Sequence, residues 1–249
     1  MKKLTLSIAS IVALSSLSFA GGEIVEPPVV TTPTQDSCFA MSANMTLASK
    51  YVWRGQDQNS GNPAVQGGVD VSYCGFYVGV WASNGDFDTF DALGLRTASS
   101  SIEVDIYAGY KFEVATVGFD IGYIAYLYPG VTSEWDDVAK EVYVGVRKEF
   151  GDFGVGAKLY YDFDNLNEDL EDGYYTAEFS ASYKLPYDIA LAGTFGMDNM
   201  AGHTDDYYYS IGASKAIDKF TVGVVYHGYY SDALDDTTDN IVGYISASF

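Results

Sequence analysis

Basic residues are scarce in this 249-residue chain: 13 Lys and Arg face 34 Asp and Glu, a formal net charge of −21 at pH 7. Such a chain is repelled by phosphate and lacks the cations that displace counterions, so a nucleic-acid partner is excluded. Cysteine and histidine are rarer still, with only Cys38, Cys74, His203 and His227. Their scattered spacing excludes a structural zinc site. No run of about 18 apolar residues follows residue 20, which excludes a transmembrane helix on length. The acidity is not that of a disordered chain, because 16% of the residues are aromatic and 48% hydrophobic.

The first twenty residues read as a secretory signal peptide. Lys2 and Lys3 precede an apolar stretch over residues 4–17, and Ser18-Phe19-Ala20 supplies small residues for cleavage. Export leads to an oxidising compartment, where an even cysteine count favours a disulfide over a metal site. Residues 21–37, with Pro27, Pro28 and Pro33, read as a flexible periplasmic segment without periodicity. Residues 38–249 show no second linker and read as one domain.

What that domain has in quantity is alternation. Ile102, Val104, Ile106, Ala108, Tyr110 and Phe112 are apolar at every second position, with Glu103, Asp105 and Lys111 between them. A hairpin must keep its oily face on the same side of both strands, and five short turns meet that condition. Around Cys74-Gly75, the set Val69, Val71, Tyr73 continues as Phe76, Val78, Val80. Gly151-Asp152, Asp218-Lys219, residues 186–188 and a longer turn over 113–116 preserve phase in the same way. With a first strand over 41–53 and a last over 240–249, the count is twelve, and both termini fall on one rim. The other joints are longer: 54–62, 84–99, 129–137, 164–172, 198–206 and 231–239. Short turns on one rim and long loops on the other predict an all-β, antiparallel, up-and-down transmembrane barrel of the Gram-negative outer membrane.

Charge decides which face meets lipid. The oily face carries only Lys140, Lys148 and Lys215, near strand ends. The other face carries Lys50, Asp70, Glu103, Asp105, Lys111, Asp120, Glu141, Arg147, Glu149, Lys158, Asp162, Glu178 and Lys184. A lipid-facing Lys or Arg at the bilayer midplane costs roughly 2–4 kcal/mol, so the polar face lines the interior. A soluble sandwich would also alternate, but with its polar face outward, shorter strands and less asymmetric turns. Tyr51, Trp53, Tyr126, Tyr160, Tyr207 and Tyr230 lie near strand ends and read as an interfacial girdle, whereas the phase of Trp81 places it inside with Tyr77. Phe249 ends the last alternating strand, as the signal read by the barrel-assembly machinery does. Cys38 and Cys74 fall on the same rim of neighbouring strands, which predicts one disulfide closing the first hairpin.

The long joints are rich in acids, among them Asp57, Asp86, Asp88, Asp91, Asp198, Asp206, Asp232, Asp235 and Asp239, against only Arg54 and Arg96. A mouth of one sign concentrates the opposite ion, which predicts a cation preference. The same acids could equally hold loosely bound divalent cations that bridge lipopolysaccharide, although none matches a calcium-loop spacing. No cofactor is expected. Catalysis is the weakest reading, because the only strand histidine, His227, has no serine at a purposeful spacing. Twelve strands lie between barrels that side chains fill and barrels that leave a channel, so sequence leaves the lumen open or filled, and oligomeric state is equally unread.

Residues 51–56 (Tyr51-Val52-Trp53-Arg54-Gly55-Gln56), 62–68, 75–84 and 103–110 resemble the TorF-type family of porins from proteobacteria, most strongly over 43–110. The resemblance implies an exported outer-membrane barrel that is porin-like, without a defined substrate. Taken together, the expectation is a barrel embedded in outer-membrane lipid and lipopolysaccharide. It would pass small hydrophilic solutes or ions passively, with a side-chain-filled structural or surface-binding barrel as the alternative and a hydrolase behind both.

Overall fold

The structure is a computed structural model that describes residues 38–90, 96–131, 139–164, 174–200, 204–232 and 235–249. The expected signal peptide and the segment 21–37 lie outside the described residues. Among the described residues fourteen strands follow one another: β1 (Phe39–Ala48), β2 (Val52–Trp53), β3 (Gln56–Asp57), β4 (Ala64–Tyr73), β5 (Phe76–Phe90), β6 (Arg96–Val114), β7 (Val117–Leu127), β8 (Ala139–Phe150), β9 (Phe153–Asp164), β10 (Tyr174–Leu185), β11 (Ile189–Met200), β12 (Thr204–Ile217), β13 (Phe220–Ser231) and β14 (Asp236–Ser248). Twelve of them, all but β2 and β3, form one closed antiparallel barrel in which each strand pairs with its sequence neighbours. β1 pairs with β4 on one side and with β14 on the other. Backbone hydrogen bonds between Ala43 and Phe249, 2.8 and 3.1 Å long, complete that seam.

Closure satisfies every ladder group that an edge would leave bare, the condition for crossing hydrocarbon with strands. The oily phase faces outward: Val142, Val144 and Val146 on β8, and Val222 and Val224 on β13, are 36–49% exposed. An apolar surface that encircles the molecule far exceeds what a soluble monomer tolerates, so it is a lipid face and the barrel is transmembrane. Aromatic rings ring both rims. Phe76, Tyr110, Phe112 and Phe119 follow one another at centroid separations of 4.5–5.7 Å near the short turns, while Tyr161 with Tyr175 and Tyr207 with Tyr230 lie 4.8 and 4.7 Å apart near the other rim. Lys148 reaches the Thr116 hydroxyl and Lys215 the Tyr187 carbonyl, so both outer lysines place their ammonium at the short-turn rim.

The hydrophobic core sits inside the barrel, built from Tyr51, Val52, Trp81, Tyr107, Ile124, Tyr126, Val225, Val242 and Tyr244. Glycine makes room for it. Gly79, Gly122 and Gly223 are the register partners of Tyr107, Tyr143 and Tyr244, and a Cβ at any of them would lie within 2.6 Å of the facing tyrosine ring. Each ring therefore lies flat across the neighbouring strand.

Several boundaries differ from expectation. The first strand stops at Ala48 rather than running through residue 53. Strands β5, β6, β11, β12 and β14 continue well into the segments read as loops, because beyond the lipid a ladder needs only backbone pairing and tolerates polar side chains. The turn over 113–116 is a two-residue turn, Ala115-Thr116, both at positive φ, joining the Val114–Val117 pair. Lys140, read as lipid-facing, is 5% exposed at an irregularity in register between Lys140 and Glu141, where the alternation breaks. Cys38 and Cys74 form the expected disulfide, with Cα atoms 4.9 Å apart.

If the outer face of β8 meets lipid, Val144→Lys will lower unfolding stability in vesicles by about 2–4 kcal/mol. Urea titration of the reconstituted barrel measures it, and a loss below about 0.5 kcal/mol would place that face in water.

Candidate functional site

The chain between β1 and β4 does not extend outward as a loop. It turns into the lumen as the β2–β3 hairpin, with Val52 paired to Asp57 and Trp53 to Gln56. Arg54 and Gly55 form its tip at φ 47° and 79°. Glycine is needed at the second position twice over, for the positive φ and because a Cβ there would lie 2.8 Å from both the Gly228 carbonyl and the Tyr229 Cβ. The tip thus reaches β13 on the far wall. Asn59, 2% exposed, braces the base by accepting the Tyr51 amide at 3.0 Å and donating to the Asn62 carbonyl at 2.5 Å.

Acids on the wall hold the hairpin. The Tyr51 hydroxyl donates to Glu103 at 2.8 Å, and its ring meets Trp81 edge-on at 5.7 Å. The Arg54 guanidinium lies 2.9 Å from one Glu141 oxygen and 3.1 Å from the other, with side-chain exposures of 6% and 1%. It also stacks over Trp53 and Tyr160, at 4.5 and 5.1 Å. Tyr126 donates to Glu141 at 2.9 Å. On the opposite wall Lys50 donates to Asn240 at 2.9 Å, and Asn240 in turn donates to the Gly55 carbonyl at 3.4 Å. The hairpin is therefore anchored on β6, β8 and β14 at once.

This half of the lumen is strongly acidic. Glu103, Asp105, Glu141 and Asp162 are each at most 3% exposed, and the buried bases among the described residues are Arg54, which pairs with Glu141, and Lys140. Asp105 is fully buried with no donor group for either carboxylate oxygen among the described residues. Of the other charged positions, Asp70 accepts the Tyr107 hydroxyl at 2.7 Å, Asp120 that of Tyr77 at 2.8 Å and Glu178 that of Tyr208 at 3.2 Å. Lys111 lies over Tyr77 at 4.7 Å, Lys158 over Tyr143 at 4.8 Å, Arg147 lies 3.9 Å from Glu149, and Lys184 is half-buried. No cluster of His, Cys, Asp and Glu among the described residues is arranged as a metal site. His227 is buried on β13 opposite Ser210 and Asn240. The Asn240 side chain, however, is committed to Lys50 and Gly55.

Four residues read as an interfacial girdle are corrected by this geometry. Tyr51, Tyr126 and Tyr160 are 1–7% exposed, and Trp53 packs against the interior core and Tyr126. Tyr126 shares the parity of Asp120, and Tyr160 that of Lys158, so their phase carried the signal that their position near strand ends obscured. Arg54, read as a mouth residue, is the centre of the lumen. No periodicity marks it, since its partner stands 87 residues away.

Removing one member of a buried pair strands the other charge. Arg54→Ala should cost about 3–5 kcal/mol in urea unfolding, and Arg54→Ala with Glu141→Ala together should cost less than the sum of the two single losses. Additive small losses would mean that the pair is not desolvated.

No curated protein matches the chain in sequence. In structure it is similar to a KdgM porin at TM-score 0.56 and 10% identity, covering 84% of this chain and 99% of that one. It is also similar to a KdgM porin in complex with disordered oligogalacturonate at TM-score 0.54 and 9% identity, covering 84% and 98%. At such identity the likeness speaks for the barrel fold alone. Residues 32–246 match the family described as bacterial protein of unknown function (Gcw_chp), and the chain belongs to that family.

Proposed function

We propose that the protein is an outer-membrane channel for passive diffusion of small hydrophilic solutes, preferring cations, whose constriction is the inward β2–β3 hairpin. The observation that carries this reading is the hairpin itself. A barrel filled only for stability needs interdigitating wall side chains, as the Gly–Tyr pairs provide. Folding the first joint across the lumen and binding it with the buried Arg54–Glu141 pair narrows the passage at one level instead. The porin-like fold and the resemblance of residues 51–56 to TorF-type porins support the same reading.

Cation preference follows from charge. Glu103, Asp105, Glu141 and Asp162 are buried on the wall with Arg54 and Lys140 as the buried bases, an excess of acids whose field low-dielectric walls strengthen. Anions entering at that level face net repulsion.

Purified, refolded protein in a planar bilayer should give small, cation-selective conductance steps. Arg54→Ala with Tyr51→Ala should enlarge them severalfold and, by removing a buried cation, raise selectivity further. Silence from wild type and variant alike would leave the filled structural barrel as the better account, and anion preference would overturn the charge argument.

A further inference from the structure

The inward hairpin supplies donors to the wall acids, but one of them goes without. Glu103 and Asp105 stand two residues apart on β6, so their side chains share the lumen face of one strand. They are 3% and 0% exposed, and their carboxyl groups lie within hydrogen-bonding reach of each other. Glu103 is well supplied, since the Tyr51 hydroxyl donates to one of its oxygens at 2.8 Å and the Tyr128 hydroxyl to the other at 3.3 Å. Asp105 receives no such bond at either oxygen. Its register partners are Trp81 on β5 and Tyr126 on β7, and the Tyr126 hydroxyl is given to Glu141.

The charged groups around the pair do not relieve it. On β8 Glu141 adds a third carboxylate, on the hairpin Arg54 is paired with Glu141, and on β5 the partner of Glu103 is the neutral Ser83. Among the described residues no Lys, Arg or His nitrogen lies within 4.0 Å of either carboxyl group. Two ionised carboxylates in contact, out of water and without a base, repel each other, and an oxygen left there without a donor forfeits its solvation. One proton between them removes both penalties, because a neutral acid carries an O–H that the neighbouring anion accepts. Its place follows from the tyrosines. They stabilise the anion on Glu103, so the proton belongs to Asp105. The neighbours Trp81 and Tyr126 belong to the interior core, where a hydrated cation needs space and a proton needs none.

We propose that Asp105 is a positioning residue for the hairpin: it stands as a neutral carboxylic acid and donates to Glu103, fixing the carboxylate to which Tyr51 is bound. Lifting the hairpin exposes the pair to water, where Asp105 ionises. The seated state therefore binds one proton more than the unseated state, and seating weakens as pH rises. The inference needs the seated hairpin and not the channel reading.

Infrared spectroscopy of the full-length, detergent-refolded protein at neutral pH is the experiment, with hydrogen exchange of the Tyr51 and Asn59 amides as its second readout. Wild type should show the carbonyl stretch of a protonated carboxylic acid, and Asp105→Asn, which keeps a donor but cannot ionise, should lose it. The hairpin opening constant, taken as the amide exchange rate relative to that of an unstructured peptide at the same pH, should rise about tenfold per pH unit above neutral in wild type and stay level in Asp105→Asn. Asp218→Asn, in the turn between β12 and β13, should leave both readouts as in wild type. Heat-modifiable gel mobility reports folding, and should Asp105→Asn not refold, Glu103→Gln, whose amide can donate to an ionised Asp105, carries the same expectation. Absence of the acid band from wild type, its survival in both lining variants, or a wild-type opening constant that follows sodium or potassium concentration rather than pH would each overturn the proposal. Neither readout depends on conductance, so silence in a planar bilayer would count against the channel and leave this assignment standing.

Discussion

A strand in hydrocarbon has no water to satisfy its backbone, and everything else in this molecule follows from that constraint. The ladder must close, and it does so through the pairing of β1 with β14 and the bonds between Ala43 and Phe249. Once closed, the sheet has only two faces, one toward lipid and one toward a confined interior. Apolar residues take the first, so the strand charges are forced into the second, apart from Lys148 and Lys215 at the short-turn rim. The acidic lumen is thus a result of the lipid surface.

Confinement then changes what those charges do. At a surface, Glu103, Asp105 and Glu141 would be solvated and weakly coupled. Inside the barrel they are desolvated, and leaving them bare is expensive. The inward hairpin answers part of that cost, since Tyr51 donates to Glu103 and Arg54 pairs with Glu141. The loop is held in the lumen because the wall needs donors, and the wall acids are tolerated because the loop supplies some. Gly55 lets the tip touch the far wall, so the hairpin spans the passage rather than lining one side.

The barrel was legible because its signal is local. A period of two, kept in phase across tight turns such as Cys74-Gly75, needs no knowledge of distant residues. Strand ends were less so, since Asp88 and Asp239 read as loop residues yet continue the ladder. The inward hairpin was not legible at all. Tyr51-Val52-Trp53-Arg54 looks the same whether its aromatics sit at a membrane interface or inside a barrel, and the choice depends on Glu103 and Glu141, which no spacing connects to it. The interior places of Tyr126 and Tyr160 were within reach, because parity with Asp120 and Lys158 outweighs nearness to a strand end.

Amide hydrogen exchange over residues 51–59 in the reconstituted barrel tests the central claim, that the first joint is built into the lumen, most directly. The account predicts protection of Tyr51 and Asn59 approaching that of the wall strands, because their amides are hydrogen-bonded and buried. Exchange as fast as that of an unstructured peptide would mean that the hairpin is not seated, and that the lumen is open without it.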